Sequence, residues 1–117
     1  PLEYRFRRDV QRRHGLPEAT LQYRQLLGFG EIRADVRYGK YRTRVELDGR
    51  LSHRDKLDSD VWRDNEVGLR CGDLTLRYRW FHVACRPCDT ARQVWTALRN
   101  RGWSGTPRPC GPTCSLN

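Results

Sequence analysis

Asp35, Glu46 and Asp48 are the residues on which a reaction could be built. They sit in two runs, EIRADVRY (31–38) and RTRVELDGRLSH (42–53), that alternate with the period of two expected of half-buried strands. Ile32, Ala34, Val36 and Tyr38 fall on one face of the first run, and Thr43, Val45 and Leu47 on one face of the second. The turn Tyr38-Gly39-Lys40-Tyr41 between them predicts a hairpin. Successive strand side chains point to opposite faces, so the three acids are expected together on one surface. Clustered carboxylates repel and raise one another's pKa. A hard divalent cation such as Mg²⁺ or Mn²⁺, which takes oxygen ligands, relieves that conflict. The competing reading is a solvated strand face whose acids pair across strands with arginines.

A second group of chemistry-bearing residues is the five cysteines, 71, 85, 88, 110 and 114. Cys85-x-x-Cys88 and Cys110-x-x-x-Cys114 have the short internal spacing of two halves of a four-thiolate zinc site. Such a site would tie the Gly/Pro-rich tail to the start of the last helix; free thiols are the alternative. Cys71 belongs to neither pair and reads as a buried small residue. His14 and His82 read as structural.

These residues need elements to hold them. Leu2 to His14 reads as a helix with the stripe Leu2, Phe6, Val10, ended by Gly15 and Pro17. Leu21 to Leu27 is a first strand before the acidic hairpin. Asp60 to Arg70 is a second helix, Leu74 to Trp80 a strand, and Thr90 with Gln93 has the spacing of a capping box for a last helix. Ala91, Val94, Trp95 and Leu98 form its buried stripe and Gly102 stops it. The order predicts an α/β sandwich with a mixed, mostly four-stranded sheet flanked by helices. Residues 1–103 would form the domain and 104–117 a Cys/Pro/Gly-rich tail.

The 117 residues suit one domain with a modest core. The net charge of +9 suits an anionic partner, nucleic acid first and a membrane surface second. Lys40 and Lys56 are the only lysines, so the positive charge is nearly all arginine, whose planar fork fits phosphate. No apolar run approaches a membrane span or a signal-peptide core, and the expectation is a cytoplasmic protein. The start at Pro1 and the lack of methionine suggest a piece of a longer chain.

Glu3 on the opening helix, Asp35 on a strand, VELDG followed by His53, then WRDN (62–65) and LRYRW (76–80), taken in order, resemble the very-short-patch-repair endonuclease branch of the PD-(D/E)XK nuclease superfamily. They are most similar to the C-terminal nuclease-like domain of AbiEi-type antitoxin proteins, where a winged-helix segment usually precedes. The resemblance runs from Glu3 to about Cys114 and implies a restriction-endonuclease-like fold and metal-dependent cleavage of DNA. Asp35 would be the central metal ligand, Glu46 and Asp48 would fill the (D/E)-X-K motif, and Glu3 would support the site. Asp48 stands where the superfamily has its usual lysine. His53 would take part of that role, as general base or as acid to the leaving group. Arg44, Arg50 and Arg63 would grip phosphate or else be solvated, and Arg63 and Asp64 resemble the polar residues flanking the site. Two other roles stay open: a catalytically idle nuclease fold serving as a nucleic-acid-binding or antitoxin-type regulatory module, and an arginine-rich protein-interaction domain.

Overall fold

The structure, a computed structural model, describes residues 1–28, 30–48 and 58–117. The chain opens with α1 (Leu2–Arg5), which runs on as a π-helical stretch, Phe6–Arg12. Three strands follow: β1 (Thr20–Leu27), β2 (Gly30–Tyr38) and β3 (Thr43–Asp48). Then come α2 (Asp58–Cys71), β4 (Leu74–Arg79), a π-helical turn (Phe81–Cys85) and α3 (Pro87–Asn100). The sheet order is β1-β2-β3-β4. β1 pairs antiparallel with β2, and β2 with β3. β3 pairs parallel with β4 from Thr43↔Leu74 to Asp48↔Arg79. The parallel pair needs a long crossover, and α2 lies within it. The molecule is thus α/β, with a mixed four-stranded sheet flanked by helices.

One face of the sheet makes the core. Val36, Tyr38, Val45 and Tyr78 pack with Leu2, Phe6 and Val10 of the opening helix and with Ala91, Val94 and Leu98 of α3. The stripes at spacings of three and four expected for the two helices are therefore what they bury. Two polar side chains are sealed into this core by one bond. Tyr38 Oη–H donates to Gln11 Oε1 at 2.8 Å. Burial raises the Tyr38 pKa far above the ordinary phenol value, so it stays a neutral donor.

The last helix begins three residues before the expected capping box. Pro87 occupies its first turn, where a missing N–H costs nothing. Thr90 Oγ–H instead bonds the carbonyls of His82 and Arg86, at 2.8 and 2.9 Å, and so staples the preceding turn to α3.

A second buried network crosses the sheet. Asp73, its carboxylate fully buried, accepts Arg37 Nε and Nη2 at 2.9 and 3.1 Å and Arg44 Nε at 2.9 Å. Burial raises the carboxyl's pKa, but the two guanidiniums outweigh it and hold it below the ordinary range. Arg44 also reaches Gln25 on β1. One carboxylate thereby fastens β2, β3 and the turn before β4.

Candidate functional sites

The β2–β3 ladder runs only from Tyr38↔Thr43 to Val36↔Val45. At the next position Asp35 breaks it. Its Oδ2 accepts the N–H of Leu47 at 2.7 Å, replacing a backbone carbonyl with a carboxylate. Opposite Asp35 on β1 stands Gln22, a non-glycine residue with φ of 49°. Backbone strain of this kind gathers at functional sites. The Gln22 amide bonds Glu3 Oε1 and reaches Asp35 Oδ1 at 3.5 Å, so Glu3 and Asp35 share one donor.

Glu46 is half-buried one position beyond the broken ladder. Burial, and then the charge of Asp35, push its carboxyl up to about 7, against the pull of Arg77 and Arg44. The structure thus brings Asp35 within electrostatic reach of Glu46, and Glu3 within one side chain of Asp35. Asp48 lies at the exposed end of β3, opposite Arg79. His53 and Arg50 fall outside the described residues.

Glu46 opens onto a cleft of about 410 Å³ between the sheet and α2. Arg33, Arg63 and Arg77 are among its walls, with Asp64 beside them and Ile32 and Val67 as its apolar part. Arg77 pairs with Asp64, and Arg24 with Glu31 at 3.6 Å. Arg63 is exposed where it lines the cleft. Arg44 corrects the expectation of a phosphate grip: it borders the cleft, but its side chain is 4% exposed and committed to Asp73.

The cysteines give the tightest cluster. Cys88 stands in the first turn of α3, and Cys110 and Cys114 in the tail. The fourth donor is His14, at the end of the opening helix. Ligand atoms of His14, Cys88, Cys110 and Cys114 all lie within 4.8 Å of one another. This corrects the four-cysteine expectation, since Cys85 is exposed and outside the cluster, and it corrects the structural reading of His14.

His14 is fully buried, and its Nδ1 faces the Val10 carbonyl at 3.0 Å. A carbonyl only accepts, so Nδ1 carries the proton and Nε2 keeps its lone pair. Nε2 is buried without a hydrogen-bond partner. A metal-bound imidazole is held in this way, its far N–H donated to a carbonyl. Burial also lowers the His14 pKa, against its hydrogen bonds to the Val10 and Asp9 carbonyls, and so favours the neutral ligand form.

The thiols divide the work. Burial, and bonds shared with Cys110 and Cys114, push Cys88 up to about 12. Burial works against the Cys114 thiolate, but backbone bonds at Cys110 and Leu116 prevail and lower its pKa. Cys88 and Cys110 sulfurs are 3.3 Å apart.

No family model, curated protein or solved structure matches the chain.

The cluster's position follows from the tail. Arg108 N–H donates to the His14 carbonyl at 2.6 Å, and its guanidinium to the Arg12 carbonyl at 3.0 Å. Asn117 Nδ2 closes the chain end on the carbonyls of Gly111, Pro112 and Cys114. The 14 residues of the tail, 104–117, thereby return Cys110 and Cys114 to the helix end. Gly15, with φ of 66°, turns the chain away just after His14, and an added Cβ would meet Arg108 at 3.4 Å. These four donors can hold a metal ion such as zinc. Among the described residues they are the one group of three or more His, Cys, Asp or Glu that converges closely enough to do so. Among the same residues, no helix is long and apolar enough to cross a membrane.

Proposed function

We propose that the chain is a DNA-cleaving module of the PD-(D/E)XK type, a metal-dependent phosphodiester hydrolase working at the mouth of the arginine-walled cleft. The observation behind this reading is the pair Asp35 and Glu46. Burial, and then the charge of Asp35, lift the Glu46 carboxyl to about 7, and a carboxylate pair so placed gains from a cation. Their oxygen donors fit Mg²⁺ or Mn²⁺. Asp35 and Glu46 would hold the ion, with Asp48 as a further ligand or orienter. Bound there, the ion supplies counter-charge to the phosphate and lowers the pKa of a water.

The protein's own groups do the rest. Glu3 fixes the Gln22 amide, which keeps one Asp35 oxygen turned toward β1. Leu47 N–H fixes the other. Arg63 and Arg33 orient phosphate in the cleft. His53 takes a proton from the attacking water or gives one to the leaving oxygen.

The test is plasmid nicking with Mg²⁺ or Mn²⁺, wild type beside Asp35→Ala. The wild type should nick and the variant should lose all measurable cutting while its circular dichroism is unchanged. His53→Ala should be milder, about a hundredfold or more in rate. Equal nicking by wild type and Asp35→Ala would sink the reading. A second reading, an idle nuclease fold that only binds DNA, draws on two observations. Asp48 stands in the lysine position, and the described acids do not close into a three-ligand cluster. No nicking by either protein with any metal selects it.

The metal at His14, Cys88, Cys110 and Cys114 we propose to be zinc. Three soft sulfurs with one imidazole suit it, and the orphaned Nε2 is the fitting observation. Four protein ligands leave no open position, so this ion holds structure and does no chemistry.

A further inference from the structure

We propose that the cleft beside Glu46 receives one unpaired nucleotide, so that the substrate is single-stranded or locally opened DNA. This rests on the nuclease reading and narrows it. The cleft's 410 Å³ lies at the small end of ligand pockets, which run from ~300 to ~1,000 Å³. That volume suits one base with its sugar and phosphate.

The lining is divided as a nucleotide is. Ile32 and Val67, buried to 7% and 6% exposure, offer an apolar surface to a base. They also stand outside the main core cluster, so the cleft has an apolar lining of its own. Arg33 and Arg63 offer forks to a phosphate. Leaving out Arg44, which is committed to Asp73, the wall charges Arg24, Arg33, Arg63 and Arg77 face Glu31, Glu46 and Asp64, an excess of one cation. A base inside a duplex cannot reach such a cleft without being unstacked and unpaired, which an already single strand does not require.

The second observation lies on α2, the helix that walls the cleft. Trp62, adjacent to Arg63 on α2, is 74% exposed. Nothing in the core explains an indole left in water. An exposed aromatic beside a phosphate-gripping arginine is the arrangement that stacks successive bases of a single strand. Trp62 carries the base next to the one in the cleft.

The experiment is fluorescence anisotropy with a labelled thymidine 20-mer and with a 20-base-pair duplex, in buffer without added divalent cation so that nothing is cut. A surface that merely neutralises charge prefers the duplex, whose charge density is the higher. The expected result is the reverse, the single strand binding about tenfold tighter or more. Trp62→Ala should lose about tenfold for the single strand and leave duplex binding unchanged. Arg63→Ala should weaken the single strand by several-fold. Duplex binding equal to or tighter than single-strand binding would overturn the proposal, and so would an unaltered single-strand affinity in Trp62→Ala. Binding is read without hydrolysis, so a failure here is separate from a failure to nick.

Discussion

Two groups of chemistry-bearing side chains in one small domain are built to opposite plans. At the junction of tail and opening helix, four donors stand within 4.8 Å of one another. On the sheet, Asp35 lies within electrostatic reach of Glu46, and Asp48 stays at the exposed strand end. The difference is one of charge. Thiols and a neutral imidazole carry no net charge, so partial burial can pack them together before any ion arrives. Cys88 pushed up to about 12, and His14 lowered, both follow from that burial. Carboxylates cannot be gathered in this way, because each added charge raises the cost of the next. A soft-ligand site can therefore be complete in the apoprotein, while a carboxylate site closes only around its cation.

The largest test of this contrast is at the cysteine cluster. Protein purified without chelator should carry about one zinc per chain, and His14→Ala should carry almost none. Binding at a thousandfold excess over the dissociation constant stabilises a fold by ~4 kcal/mol. Chelation should lower stability to urea by at least about that amount in the wild type and leave His14→Ala unmoved. Cys85→Ser, outside the cluster, should keep both zinc and stability. Zinc-free wild type, or zinc lost in Cys85→Ser, would break the contrast.

An intermediate case is the floor beneath the cleft. The Asp73 side chain is fully buried, yet its pKa falls because two guanidiniums meet it. Paired charge is tolerated where like charge is not. Asp73→Asn keeps the shape and removes the counter-charge for Arg37 and Arg44. Loss of one partner from such a buried network costs ~3–5 kcal/mol, to be read as a lower urea midpoint. A change under ~1 kcal/mol would show that water reaches the pair and that the network is a surface one.

What the sequence revealed follows the same physics. Alternation in EIRADVRY and the stripe Leu2, Phe6, Val10 report burial directly, and those elements stand where expected. Local spacing was less reliable. Cys85 and Cys88 share a CxxC, but Cys85 closes one helical turn and Cys88 opens the next, so only Cys88 faces the tail. His14 lies 74 positions before Cys88, and no spacing rule links them. The signal available was its place at a helix end, just before Gly15 and Pro17 turn the chain. Arg44 looked like any other arginine of a strand face. Its partner Asp73 is 29 positions away, brought close by the parallel pairing of β3 with β4.

The smallest effect, and the one that reads the carboxylate plan most directly, is the pH dependence set by Glu46. Its folded pKa, about 7, lies above the ordinary value of 4.5. Between those values the folded chain holds a proton that the unfolded chain has lost. Stability therefore falls as pH rises across that interval and levels off above 7. Glu46→Gln removes the titrating group and keeps its size. The variant and the wild type should be similarly stable at pH 4. At pH 8 the variant should be the more stable by ~1–2 kcal/mol, less than the full shift would give because the cleft admits water. Added Mg²⁺ should return the wild type toward the variant at pH 8, since a cation replaces the missing proton as partner to the Asp35–Glu46 pair. Chemical denaturation of both proteins at the two pH values, with and without Mg²⁺, measures all of this. A Glu46→Gln variant less stable at pH 8, or indifference of the wild type to Mg²⁺, would mean that Arg77 and Arg44 already satisfy Glu46, and the two plans would differ less than their geometry implies.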